Sequence, residues 1–187
     1  MSTGACWPLA RASRVADRLV EILTPHCLRV QVAGSIRRGC PDVGDIEIVL
    51  LPRVVERMAP GPGLLFDVPR RVVVSLAWEA LDALTTEGKL PAPSKGGQRY
   101  RCYPATEKTL QVDVFQVTDG RAWGPLLAVR TGPAGYSKFL AGVKLRQRGL
   151  YLEGGLVHRN GVVVPCPEEA DFFDACGMPW VEPRDRR

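Results

Sequence analysis

The stretch from Val30 to Leu51, VQVAGSIRRGCPDVGDIEIVLL, constrains the fold more than any other part of the chain. Val30 and Val32 alternate with Gln31, as on a half-buried strand, and Gly34-Ser35 then breaks the run. Ile46, Ile48, Val49, Leu50 and Leu51 resume it, so the segment reads strand, turn, strand. Gly34, Ser35, Arg37, Arg38 and Gly39 fill the turn with free N–H groups and cations. Asp45 and Glu47 open the second strand, and residues two apart on a strand point the same way. Two carboxylates on one face, beside a Gly-Ser turn flanked by arginines, suit a divalent metal together with a phosphate.

Farther along, Thr109 to Val117 (TLQVDVFQV) predicts another strand. Leu110, Val112, Val114 and Gln116 fall on one face, and Gln111, Asp113, Phe115 and Val117 on the other. A single Asp on an apolar-rich face is awkward for a pure core and natural for a metal ligand. With the upstream pair, Asp113 completes a candidate set of three carboxylates: Asp45, Glu47 and Asp113.

The turn and strand resemble the nucleotidyltransferase motif of the DNA polymerase beta family, the family X polymerases. That motif, G-S-x-R-R-G, then five residues, then D-x-D/E, is met by Gly34 to Gly39, Cys40 to Gly44 and Asp45-Ile46-Glu47. The C-terminal half is also similar. Val129-Arg130-Thr131-Gly132-Pro133 precedes a helix where the family carries an aromatic pair followed by Thr-Gly-Ser. Glu168 to Phe173, Gly177-Met178-Pro179-Trp180 and Glu182-Pro183-Arg184 look like the family's closing segment.

The resemblance implies an α+β fold: a nucleotidyltransferase palm over residues 1–120, with a mixed sheet and packed helices, then a small nucleotide-selecting α/β subdomain over residues 121–187. It implies a minimal catalytic core, without the lyase and helix-hairpin-helix domains that precede the palm in larger members. Asp45, Glu47 and Asp113 would hold two Mg²⁺ ions, with Mn²⁺ able to substitute, for two-metal phosphoryl transfer to a nucleic-acid 3′ end. Gly34, Ser35, Arg38, Gly44, Val129, Arg130 and Gly132 would bind the nucleoside triphosphate, while Arg37 would pair structurally.

Four positions depart from the pattern. Glu47 replaces a usual Asp, Gln111 a frequent basic residue, Val129-Arg130 the aromatic pair, and Ser137 a base-contacting Asn. Two alternatives therefore stay open. One is a nucleotidyltransferase that modifies RNA, a protein or a small molecule. The other is a non-catalytic nucleic-acid-binding relic.

Composition narrows the partners. The net charge of +5, from 25 basic and 20 acidic residues, permits a polyanionic partner. Lys138, Lys144, Arg146 and Arg148 are candidate nucleic-acid contacts, with DNA ahead of RNA. No apolar run reaches membrane-spanning length and the N-terminus lacks a signal-peptide core, so a cytoplasmic monomer is expected. None of the six cysteines forms a C-x-x-C pair, and two histidines complete a poor zinc set, so reduced thiols are expected.

Local signals place the remaining elements. A helix opens at Pro8 with Leu9, Ala12, Ala16, Leu19, Val20 and Leu23 on one stripe, stopped by Thr24-Pro25. Residues 59–63 and 91–97 predict loops. A second helix opens at Pro69 and buries Leu76, Ala77, Ala80, Leu81 and Leu84, and Gln98 to Tyr103 forms a strand. Tyr136 to Gly149 predicts a helix with Phe139, Leu140 and Val143 inside. Short strands follow around Gly154-Gly155 and Asn160-Gly161, then a helix from Pro167 to Gly177 and an extended, charged end.

Overall fold

The computed structural model describes residues 6–60 and 69–187. A short strand β1 (Trp7–Pro8) leads into helix α1 (Leu9–Leu23), whose buried side is Ala12, Ala16, Leu19 and Leu23. Strand β2 (Cys27–Val32) runs into a single helical turn, α2 (Gly34–Arg37). A two-residue strand β3 (Asp42–Val43) pairs with β1 and delivers the chain to strand β4 (Asp45–Pro52).

Strands β5 (Val54–Ala59) and β6 (Arg70–Ser75) then form an antiparallel pair. This corrects the helix expected to open at Pro69. Val72, Val73 and Val74 are β-branched and favour a strand. Helix α3 (Leu76–Thr86) instead begins after Ser75, whose hydroxyl accepts a hydrogen bond from the Trp78 N–H. Residues 61–63 of the expected loop at 59–63 lie outside the described residues.

Strands β7 (Lys95–Gly96), β8 (Tyr100–Tyr103) and β9 (Gln111–Gln116) complete the main sheet. Its order is β2-β4-β9-β8-β7. Strand β4 runs antiparallel to β2 and parallel to β9, and the other pairs are antiparallel, so the sheet is mixed. Lys95–Gly96 thus takes an edge-strand position inside the segment expected to be a loop.

Both faces of the sheet are covered. Ile46, Ile48, Val112 and Val114 pack with α1 and α3 in one apolar cluster. Val49, Phe115 and Val117 pack on the other face with Trp123 and Leu127 of the next helix, α4 (Trp123–Thr131). The alternation of β9 read from the sequence is therefore the alternation between these two clusters.

The helical stretch after Pro133 is continuous but not uniform. It comprises α5 (Ala134–Lys138), a π-helical stretch Phe139–Lys144 and α6 (Leu145–Gln147). The Leu145 N–H donates to the Leu140 carbonyl, five residues back. The buried stripe consequently steps from Leu140 to Leu145, and Phe139 and Val143, expected inside, face outward.

Strands β10 (Tyr151–Glu153), β11 (Leu156–Arg159) and β12 (Val162–Val164) form a meander. Asn160 and Gly161 both have positive φ at its second turn, as a tight hairpin requires. Helix α7 (Glu169–Ala175) follows, with a capping box between Glu168 and Asp171. The chain end is not simply extended. Arg186 is buried against Phe173 and bonded to Glu169. All six cysteines are free thiols. Among the described residues no helix is long and apolar enough to cross a membrane.

Candidate nucleotidyl-transfer site

Strand pairing brings the three candidate carboxylates together. Asp45 and Glu47 are two apart on β4, and Glu47 lies opposite Asp113 on the parallel strand β9. All three therefore project from one sheet face, and all three line a cleft of about 1030 Å³. Tyr100, Phe115, Arg130 and the Gly154-Gly155 turn line it too.

The Gly-Ser turn meets this cluster at one point. Gly34 has φ of +62°, and a Cβ placed there would overlap the Glu47 carboxylate. Only glycine accommodates both the backbone and that contact. The buried Ser35 hydroxyl has no hydrogen-bond partner among the described residues. The first-turn N–H groups of α2 likewise lack partner carbonyls within the helix. A donor-rich corner therefore sits beside the carboxylates.

Burial pushes the Glu47 carboxyl up to about 7, reinforced by the Asp45 charge and opposed by Arg130. Burial and then the Asp113 charge raise Asp45, with Arg38 opposing. Clustered carboxylates without a counter-ion cost stability when ionised. Between the unfolded value of 4.5 and about 7, Glu47 holds its proton in the fold but loses it on unfolding. Stability should therefore fall as pH rises through that window, and the full cost is present above it. Glu47→Gln should stabilise the metal-free protein at pH 8 by roughly 1–3 kcal/mol, with the gain vanishing near pH 4. Denaturant unfolding of both proteins in chelator checks this, and a gain that persists at pH 4 would contradict it.

The three carboxylates share a face and a cleft. Among the described residues no group of three His, Cys, Asp or Glu side chains is placed to hold a metal ion. Side-chain contacts occupy part of the set. The Tyr100 hydroxyl donates to Asp113 Oδ1 at 2.8 Å, and Gln111 Nε2 donates to Oδ2 at 2.9 Å. Asp113 is only 7% exposed. Glu47 meanwhile leans on Gly34. Hard carboxylate oxygens on one face still fit Mg²⁺ or Mn²⁺ as a donor set, with Asp45 and Glu47 the better placed pair.

The arginines divide their roles. Arg37 forms a bidentate pair with Glu169 at 2.7 Å and donates to the Thr131 hydroxyl. It is a structural bridge between the turn and α7. Arg38 donates to the Thr131 carbonyl at 2.6 Å, with its charge acting on Asp45 and Glu47. Arg130 lies 3.8 Å from the Phe115 ring centroid, and its buried Nε has no partner among the described residues. Of the expected nucleotide contacts in the C-terminal half, Arg130 reaches the cleft and Val129 and Gly132 do not line it. The Val129 carbonyl instead accepts a bond from the Ser137 hydroxyl, which packs against Gly132. Gly44 has open space around it beside Asp45.

Lys138, Arg146 and Arg148 are exposed and Lys144 half-buried, and none of the four lines the cleft. Lys144 lies 5.2 Å from the Phe139 ring centroid, and Arg148 lies across Gly177. None has an ion-pair partner among the described residues.

Tyr100 and Phe115, stacked 4.9 Å apart, are site residues that the sequence reading missed. Their one local signal is alternation: each falls on the Asp113 face of its strand once β8 is paired with β9.

Residues 137–187 match the family model of the DNA polymerase beta thumb. No curated protein matches the chain. The match relates the segment from Ser137 onward to the family X polymerases through their thumb alone.

Proposed function

We propose that this protein is a metal-dependent nucleotidyltransferase that adds nucleotides to a nucleic-acid 3′ end, with a palm over residues 1–120 and a nucleotide-selecting subdomain over residues 121–187. The observation that carries this reading is the placement of Asp45, Glu47 and Asp113 on one sheet face, in one cleft. The thumb match that follows in the chain supports it.

In this reading Asp45, Glu47 and Asp113 would hold the cation, and the Tyr100 and Gln111 hydrogen bonds orient the Asp113 carboxylate. Magnesium, when bound, neutralises charge on the attacking and leaving oxygens. The chain's own contribution is positioning. Ser35 and the α2 N–H groups offer donors to the triphosphate, and Arg38 and Arg130 add positive charge. Incubation with labelled nucleotides, Mg²⁺ or Mn²⁺, and either primer-template or single-stranded acceptors tests the reading. Absence of transfer to any acceptor would overturn it.

One observation favours a second reading, a nucleic-acid-binding protein without transfer. Asp113 already accepts hydrogen bonds from Tyr100 and Gln111, and among the described residues no group of three His, Cys, Asp or Glu side chains is placed to hold a metal ion. The same assay separates the two, since only the first gives a product.

Nucleic-acid binding, expected in both readings, should be mainly electrostatic. Reversing Lys144 and Arg148 to Glu together should weaken DNA binding but spare nucleotide binding at the cleft, which neither residue lines. Each phosphate neutralised should add about 0.7–0.9 to the slope of log affinity against log salt. Fluorescence titrations at several salt concentrations check this, and a slope near zero would remove these residues from the interface.

A further inference from the structure

A second cleft, of about 910 Å³, lies behind the sheet and away from the carboxylates. Helix α1 packs on the face that carries Ile46 and Ile48, whereas Asp45 and Glu47 project from the other. The proposed transfer makes no use of this cleft.

Its floor is apolar: Val15, Leu19 and Ile22 of α1, with Leu84 of α3 and Leu90 beyond that helix. Val15, Leu19 and Ile22 stand at i, i+4 and i+7, so they form one line along the helix. Arg14 and Arg18 run beside that line, and Lys89 and Lys108 stand on the rim contributed by residues 88–91, after α3, and residues 106–109. Four cations thus meet one lining carboxylate, Glu107. Arg18 and Lys89 make exposed ion pairs with Glu21 and Glu87. Neither Arg14 nor Lys108 has an ion-pair partner among the described residues.

We propose that this cleft docks an amphipathic helix of a partner protein, whose apolar stripe is flanked by Asp and Glu. Charge complementarity selects this occupant. A nucleic acid would meet the cations but leave the apolar floor without a partner. A basic helix would meet like charge on the rim. A second copy of this chain, itself carrying +5, would set its own cations against these. A helix laid in a groove uses anchors at the spacing the floor presents.

The test is selection from a display library of helical peptides of about 18 residues, five turns, against the full chain. Selected peptides should carry Leu, Ile or Phe at i, i+3 or i+4, and i+7, with Glu or Asp beside them. By anisotropy they should bind Arg14→Glu/Lys108→Glu protein about tenfold or more weakly, and added salt should weaken them further. Both positions are exposed, so the variant should fold, and circular dichroism verifies this. Selection of basic or uncharged peptides, selection of none, or affinity unchanged in the variant would overturn the proposal. So would concentration-dependent dimerisation abolished by Val15→Glu, which assigns the cleft to a second copy.

Discussion

Asp113→Asn should lower nucleotide transfer by about a thousandfold or more, equivalent to about 4 kcal/mol of transition-state stabilisation, while leaving the fold nearly intact. The substitution keeps the shape of the side chain and removes its charge. Its amide can still accept the Tyr100 hydroxyl bond now made at 2.8 Å. Its NH₂ group would then face Gln111 Nε2, and a flip of the Gln111 amide restores an acceptor there. The expected stability cost is accordingly about 1 kcal/mol, the scale of one rearranged hydrogen bond. Transfer, by contrast, loses one of the three carboxylates on which the proposed chemistry rests. Primer-extension and terminal-addition assays measure the first quantity and denaturant unfolding the second. Transfer at the wild-type level would remove Asp113 from the catalytic set. A stability loss of several kcal/mol would make its role structural.

The parts of this site that were legible in the sequence are those whose signal is local. The Gly34-Ser35 break, the period-two alternation of β4 and the isolated Asp113 on β9 can each be read within a few residues. So can the Asn160-Gly161 turn, because positive φ at both positions restricts the residue types that serve. What stayed hidden depends on pairing between distant segments. Tyr100 reaches Asp113 because β8 lies against β9, and nothing near Tyr100 announces that neighbour. The β5–β6 pair was hidden because Glu56, Arg57, Arg70 and Arg71 interrupt its apolar alternation. A uniform 3.6-residue period puts Phe139 and Val143 inside, and the π-helical stretch breaks that period. Arg186 looked like part of a solvated tail, since its neighbours Arg184, Asp185 and Arg187 are charged. Its burial depends on distant partners, the Glu169 carboxylate and the Phe173 ring.

Glu169→Ala should be the most destabilising single change considered, costing about 3–5 kcal/mol. Glu169 is 6% exposed and accepts hydrogen bonds from two guanidinium groups. Arg37 approaches from the Gly-Ser turn, with its side chain 15% exposed, and Arg186 from the chain end, with its side chain 0% exposed. Trp180 Nε1 adds a longer contact at 3.4 Å. Removing the carboxylate leaves two cations in a poorly solvated site with no counter-charge, and Arg186 has no room to reach water. Breaking the exposed Arg18–Glu21 pair instead, by Arg18→Ala, should cost under about 1 kcal/mol, because both partners are well solvated either way. The pH dependence provides an independent check. Burial alone would raise the Glu169 carboxyl, but the hydrogen bonds and charges of Arg37 and Arg186 outweigh it and hold it below its ordinary value. Its contribution is therefore fully present above the unfolded value of 4.5 and is lost as pH falls through the lower folded value. Glu169→Ala should accordingly flatten the acid limb of the stability profile as well as lower its plateau. Glu169→Gln, which keeps one acceptor but loses the charge, should fall between the two. Thermal and urea unfolding from pH 3 to 8 measure all three proteins, and a plateau loss below about 1 kcal/mol would show that this buried triad does not hold the motif to the C-terminal helix.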